Sequence, residues 1–154
     1  MNNKILIIGL IWPEPRATAA GSRMIQLIEY FIDQGFELSF ASAAAKSSLS
    51  YDFSGLALTC IDIELNNSGF DAVLKDLNPG MVVFDRFLTE EHYGWKVQEN
   101  CPNAIRILDT EDLHFLRKSR ELAVKKEVDD WRAFIQNDTA KREIASIYRC
   151  DLSL

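Results

Sequence analysis

Residues 4–42, KILIIGLIWPEPRATAAGSRMIQLIEYFIDQGFELSFAS, decide the fold. The stretch opens on Lys4-Ile5-Leu6-Ile7-Ile8-Gly9, continuously apolar and rich in β-branched residues, the pattern of a strand covered on both faces. Leu10 to Ala19 holds Pro13 and Pro15 and reads as a loop. From about Ala20 to Gln34, Met24, Leu27, Ile28 and Phe31 recur at i, i+3, i+4 and i+7, which gathers them on one helical face. Gly35 stands where a left-handed residue ends a helix. Phe36 to Ser42 then reads as a second strand. Buried strand, helix and buried strand in succession call for a parallel sheet with a helix packed on it.

Working outward, the alternation continues. Ala43 to Phe53 is small and polar, a loop or short helix, and Leu56 to Ile63 is a third strand. Ser68 is placed to cap a helix whose apolar face is Phe70, Val73, Leu74 and Leu77, and Asn78-Pro79-Gly80 ends it. Met81 to Asp85 is a fourth strand. Thr89 is expected to cap the next helix, with Glu90 and Glu91 near its positive end. Asn100-Cys101-Pro102-Asn103 stops that helix, and Ala104 to Leu108 is a fifth strand. Beyond Asp109 the chain is helical and charged, with Val128, Trp131, Phe134 and Ile135, then Ala140, Ile144, Ile147 and Tyr148, at helical spacing. Cys150 to Leu154 begins as a strand, and we expect the natural chain to continue past it. The pattern predicts an α/β, Rossmann-like, three-layer αβα domain over residues 1–154, with a parallel sheet of about five to six strands.

The chain has 154 residues, 47% apolar and 26% charged, which suits one folded domain and excludes general disorder. A net charge of −6 argues against a nucleic-acid partner, because phosphate binding needs a concentrated basic surface. Arg117, Lys118, Arg120, Lys125 and Lys126 form one local basic patch. It reads first as a solvated helix face and second as a surface for phosphates or an anionic membrane. Cys60, Cys101 and Cys150 are odd in number with no CxxC spacing, which points to reduced thiols in the cytoplasm rather than disulfides or a zinc site. The apolar run Ile5 to Ile11 is too short to span a membrane. His92, Trp95 and Trp131 read as structural: a surface or packing histidine, and cover for a core or an inter-domain contact.

Ligands of parallel α/β sheets bind outside the carboxyl ends of the strands, at the point where strand order reverses. Three segments fall there. The loop after the first strand lacks GxGxxG spacing, which disfavours a nicotinamide or flavin dinucleotide. Gly21 and Ser22, where the helix begins, offer backbone amides to an anion, and Arg16 and Arg23 offer charge-assisted hydrogen bonds. The alternative is that Gly21 serves tight packing and both arginines sit in water. Asp85-Arg86 at the end of the fourth strand is a ligand-binding pair or a pair that shapes a turn. Asp109-Thr110-Glu111-Asp112-Leu113-His114-Phe115-Leu116-Arg117 gathers three carboxylates, an imidazole and a guanidinium after the fifth strand. Asp109, Glu111 and His114 are the candidate catalytic groups, since close carboxylates raise one another's pKa and histidine titrates near neutrality. Asp112 and Arg117 are candidate binding residues. The competing role for the carboxylates is to stabilise a helix N-terminus. The spacing matches no strong metal signature, and no metal is assigned.

WPEPRATAAGSRMIQLIEYFIDQGFELSFAS resembles the opening of family 4-type glycosyltransferases with the GT-B fold. ILDTEDLHFLRKSREL resembles a second stretch of related sequences, D-T-x-D-L-H-x-x-R-x-x-R, matched here by Asp109, Thr110, Asp112, Leu113, His114, Arg117 and Arg120. The resemblance implies two Rossmann-like domains with the active site between them. The N-terminal one would mainly recognise the acceptor and the C-terminal one, absent here, would bind the nucleotide. It implies that Ala20-Gly21-Ser22 and Arg23 approach the donor diphosphate, although many members carry a glycine pair where this chain has Gly21 alone. It implies that His114 or the neighbouring carboxylates contact the donor sugar, with no metal and no cofactor beyond the nucleotide-sugar substrate. The implied activity is hexosyl transfer to a glycan, a lipid or another cell-envelope precursor in a bacterial cytoplasm, at or near the inner face of the membrane, and the isolated half is expected to be inactive. Two other classes compete. One is a stand-alone Rossmann-like or receiver-like module with Asp85 as the phosphorylated residue, for which residues 9–13 lack the usual acidic pair. The other is a different nucleotide-dependent enzyme, disfavoured by the missing glycine fingerprint.

Overall fold

The computed structural model describes residues 2–154. Lys4–Gly9 forms β1, and its alternating side chains feed two separate cores, Leu6 and Ile8 on one face, Ile5 and Ile7 on the other. A strand buried this way belongs at the centre of a sheet. It pairs in parallel with β2 (Glu37–Ser42) on one side and β4 (Met81–Asp85) on the other. β3 (Leu58–Asp62), β5 (Ile105–Asp109) and the two-residue β6 (Leu152–Ser153) extend the sheet to the order β3-β2-β1-β4-β5-β6, all parallel.

α1 (Ala19–Asp33) places Met24, Ile25 and Ile28 over Ile5, Ile7, Phe40 and Val83. α2 (Gly69–Leu77) and α3 (Arg86–Asn100) place Phe70, Leu74, Tyr93 and Val97 over Leu6, Ile8, Val82 and Phe84. Ile147 of α5 (Asp138–Arg149) packs against that second core. α4 (His114–Lys125) and a 3-10 turn at Trp131–Phe134 precede α5. The protein is therefore an α/β, Rossmann-like, three-layer fold. Each fully buried Ile or Leu of β1 contributes about 1.5–3 kcal/mol, so a charge at Ile7 would break the centre of the sheet.

Local signals worked where side chain and backbone cooperate nearby. Thr18 caps α1, its Oγ1 accepting from the Gly21 amide at 2.9 Å, and Gly35 takes φ +79 just beyond the helix. Two expected caps are corrected. Asn67 Oδ1, not Ser68, accepts from the Gly69 amide, because Ser68 has already turned into helical backbone. Thr89 does not cap α3, which starts at Arg86 directly from the strand; Thr89 Oγ1 donates back to the Asp85 carbonyl at 3.0 Å. The strand-to-helix turn is made in one residue by Arg86 at φ +71. Glu90 and Glu91 consequently lie in the second turn and pair with Arg149 and Arg142 of α5.

The loop after β1 is anchored by Trp12, which is 1% exposed, packs on Phe40 and Phe53, and donates Nε1–H to the Ala44 carbonyl at 2.7 Å. The three cysteines are unpaired. Among the described residues no helix is long and apolar enough to cross a membrane.

Candidate functional site

In the order 3-2-1-4-5-6 the reversal falls between β1 and β4, so the switch point lies where Gly9-Leu10 and Asp85-Arg86 leave the sheet. Asp85 ties the two lips together, its Oδ2 accepting from the Leu10 amide at 3.1 Å. Arg86 Nε lies 3.3 Å from its other oxygen. Burial pushes the Asp85 carboxyl up from its ordinary value. Arg86 and the Leu10 amide oppose that shift, and Asp109 and Glu111 add to it.

Asp109 stands directly beside Asp85 in the β4–β5 register, and its side chain is fully buried. Its Oδ2 accepts from Arg23 Nη1 of α1 at 2.5 Å, and its Oδ1 accepts from the Glu111 amide at 3.3 Å. Glu111 takes φ +60, a second left-handed non-glycine residue at a strand end beside Arg86. Such backbone costs about 1–3 kcal/mol and gathers at binding and catalytic sites. Asp85, Arg86, Asp109, Glu111 and Arg23 thus assemble at one end of the sheet. Two guanidinium groups and three carboxylates together can grip an anion and accept hydrogen bonds from hydroxyl groups.

His114 begins α4, and its Nδ1 lies 3.1 Å from the Asp112 carbonyl and 3.2 Å from Glu143 Oε1. Its ring meets the edge of Phe87 of α3, centroids 5.5 Å apart. Glu143 is the functional-looking residue the sequence reading missed. It lies in α5, yet its carboxylate is buried and accepts from the His114 and Phe115 amides at 3.1 and 3.0 Å, capping α4 from another element. The available signal was positional: Glu143 sits between Ala140 and Ile147 on the apolar stripe of its helix.

The remaining candidates have plainer roles. A methyl group at Gly21 would lie 2.5 Å from Glu14 backbone atoms, so the glycine admits the loop rather than a ligand. Ser22 Oγ donates to the Pro15 carbonyl at 2.9 Å and holds the same loop. Arg16 is exposed and makes no side-chain bond among the described residues. Arg117 pairs with Asp112 at 2.9 Å on the surface. The rest of the basic patch is dressed by its neighbours: Lys118 donates to Thr139, Lys125 to Glu121, Arg120 lies over Trp131 and Lys126 over Phe134.

An apolar groove of about 720 Å³ lies away from these groups, between α4, the 3-10 turn and α5, and is lined by Phe115, Ile135, Ala140, Ile144 and Tyr148. Its lining offers no carboxylate. Among the described residues no cluster of three His, Cys, Asp or Glu side chains is spaced to hold a metal ion. No protein-family model matches the chain, and neither a curated protein nor a solved structure is significantly similar to it, so the functional reading rests on the sequence motifs, the fold and the strand-end groups.

Proposed function

We propose that this chain is the acceptor-side, N-terminal domain of a family 4-type GT-B glycosyltransferase. The whole enzyme moves a hexosyl group from a nucleotide-sugar donor to a glycan, a lipid or another cell-envelope precursor on the cytoplasmic side of a membrane. The observation that carries the reading is Arg23. It spends one N–H on the fully buried Asp109 and stays 41% exposed beside the switch point. The pair holds the guanidinium in place and leaves the rest of its donors for a ligand. Sugar transfer releases a nucleoside diphosphate, whose developing charge such donors stabilise. The stretch from Asp109 to Arg120 supplies the sequence support.

A second domain of the same protein would bind the nucleotide and close the cleft, so residues 1–154 alone should not turn over a nucleotide sugar. Strand order disfavours the receiver-like alternative: receivers arrange their sheet 2-1-3-4-5, unlike the order here. Asp85, the residue that reading would phosphorylate, is 5% exposed and engaged by Leu10 and Arg86.

The test is a ¹H–¹⁵N titration of the chain with UDP-glucose, GDP-mannose and inorganic pyrophosphate. Weak binding, with Kd on the order of 1 mM, is expected to shift Leu10, the Arg23 side chain, Arg86 and Glu111. Shifts confined to other surfaces, or sugar transfer by the chain on its own, would overturn the proposal.

A further inference from the structure

His114 Nδ1 faces only acceptors. The Asp112 carbonyl lies at 3.1 Å, Glu143 Oε1 at 3.2 Å and Asp112 Oδ1 at 3.5 Å. Glu143 is 1% exposed and already accepts from two backbone amides at the start of α4, so its oxygens face His114 as acceptors. A nitrogen surrounded by such oxygens carries the proton. The other ring nitrogen has no protein partner, and no buried side-chain nitrogen or oxygen among the described residues lacks one, so Nε2 is open to solvent. The Phe87 ring of α3 meets the imidazole in a T-shaped contact and carries Arg142 over it.

We propose that Glu143 is a positioning residue for His114. It fixes the neutral imidazole's proton on Nδ1 and leaves Nε2 as a hydrogen-bond acceptor for a hydroxyl group of the ligand. Free imidazole in a histidine side chain is under no such constraint. With the proton on Nδ1, Nε2 of the neutral ring has no hydrogen to give a phosphate oxygen and suits a hydroxyl donor. Only the identity of that hydroxyl as a sugar's rests on the glycosyltransferase reading; the proton's place does not.

The test uses the 154-residue chain, ¹⁵N-labelled and without ligand. A long-range ¹H–¹⁵N correlation is recorded at a pH where both histidines are neutral. Exposed His92 serves as the internal reference, and H92Q makes the assignment. A pyrrole-like Nδ1 and a pyridine-like Nε2 are expected for His114. A proton on Nε2 overturns the proposal. In Glu143→Gln the preference for Nδ1–H should fall about tenfold, the difference between a charged and a neutral acceptor. An unchanged ratio in a folded variant, checked by circular dichroism, assigns the effect to the Asp112 carbonyl and overturns the role of Glu143. A measurement free of mutation stands beside it. The Glu143 carboxylate carbon in the unaltered chain should show an inflection as His114 titrates, and a flat trace counts against the contact. None of these readings involves a nucleotide sugar, so failed binding in the titration above leaves them standing, and the converse holds.

Discussion

Two arginines in this fold hold buried carboxylates while staying half in water. Arg23 is 41% exposed over an Asp109 at 0%, and Arg149 is 47% exposed over a Glu90 at 4%. By burial they are the same device. By hydrogen bonding they are not. Arg149 grips Glu90 through Nε and Nη2 and spends Nη2 again on Ser146 Oγ, clamping α5 to α3. That bonding pushes the Arg149 guanidinium further up from its ordinary value. Arg23 gives one N–H to Asp109 and keeps the others at the mouth of the crevice. A guanidinium whose fork is saturated inside the protein is a fastener, and one with spare donors at a switch point is equipped for a ligand.

Lysine tests that distinction, because it replaces a fork with a point charge. Arg149→Ala should cost about 3 kcal/mol, since it leaves the buried Glu90 carboxylate without its partner. Arg149→Lys should still cost about 2 kcal/mol, having lost the bidentate grip. Arg23→Lys should cost less than about 1 kcal/mol, because a single N–H bond is all that Asp109 asks of it. Urea unfolding midpoints at constant slope give these differences. Equal costs for the two lysine variants would erase the contrast.

Neither pair was legible in the sequence, and the reason is separation. Arg23 and Asp109 lie 86 residues apart, and Arg149 and Glu90 lie 59 apart. Periodicity sees one element at a time, so it found β1, the α1 face and the strand ends, which is where Asp85, Asp109 and Glu111 turned out to meet. It read Glu90 as a helix-start carboxylate because it could not see that Arg86 would start α3 without a loop. It left Gly21 open between a ligand and tight packing because the Glu14 backbone that fills that space belongs to a loop with no regular pattern. Glu143 was missed for the same reason in reverse: its partner is the start of a different helix.

The Asp85 region should also respond to pH. Burial raises the Asp85 carboxyl above its unfolded value of 3.8. The folded chain then holds that proton more tightly than the unfolded one. The stability this group contributes is present below the unfolded value and is lost as pH rises through the raised folded value. Near neutrality an ionised Asp85 therefore weakens the fold. Asp85→Asn keeps an acceptor for the Leu10 amide and removes the buried charge, so it should gain about 1 kcal/mol near neutral pH. The gain should vanish below pH 3.8. Thermal melts of both proteins across that range decide it, and a gap that persists in acid would mean that the amide, not the charge, made the difference.

The smallest expected effect concerns backbone. Asn78, at φ +44, caps α2, a place where left-handed residues are ordinary, but Glu111 at φ +60 follows a strand and caps no helix. A side chain there costs about 1 kcal/mol or more, and glycine would remove that cost while adding freedom to the unfolded chain. Glu111→Gly should therefore stabilise the protein by about 0.5 kcal/mol. Glu111 strains its own backbone, makes no side-chain bond among the described residues and sits beside Asp109, and the proposed function gives it a ligand to meet. The same variant should lose the nucleotide-sugar response at Leu10 and Arg86. If it is stabilised and yet binds as before, Glu111 leaves the site and the strain belongs to the turn alone.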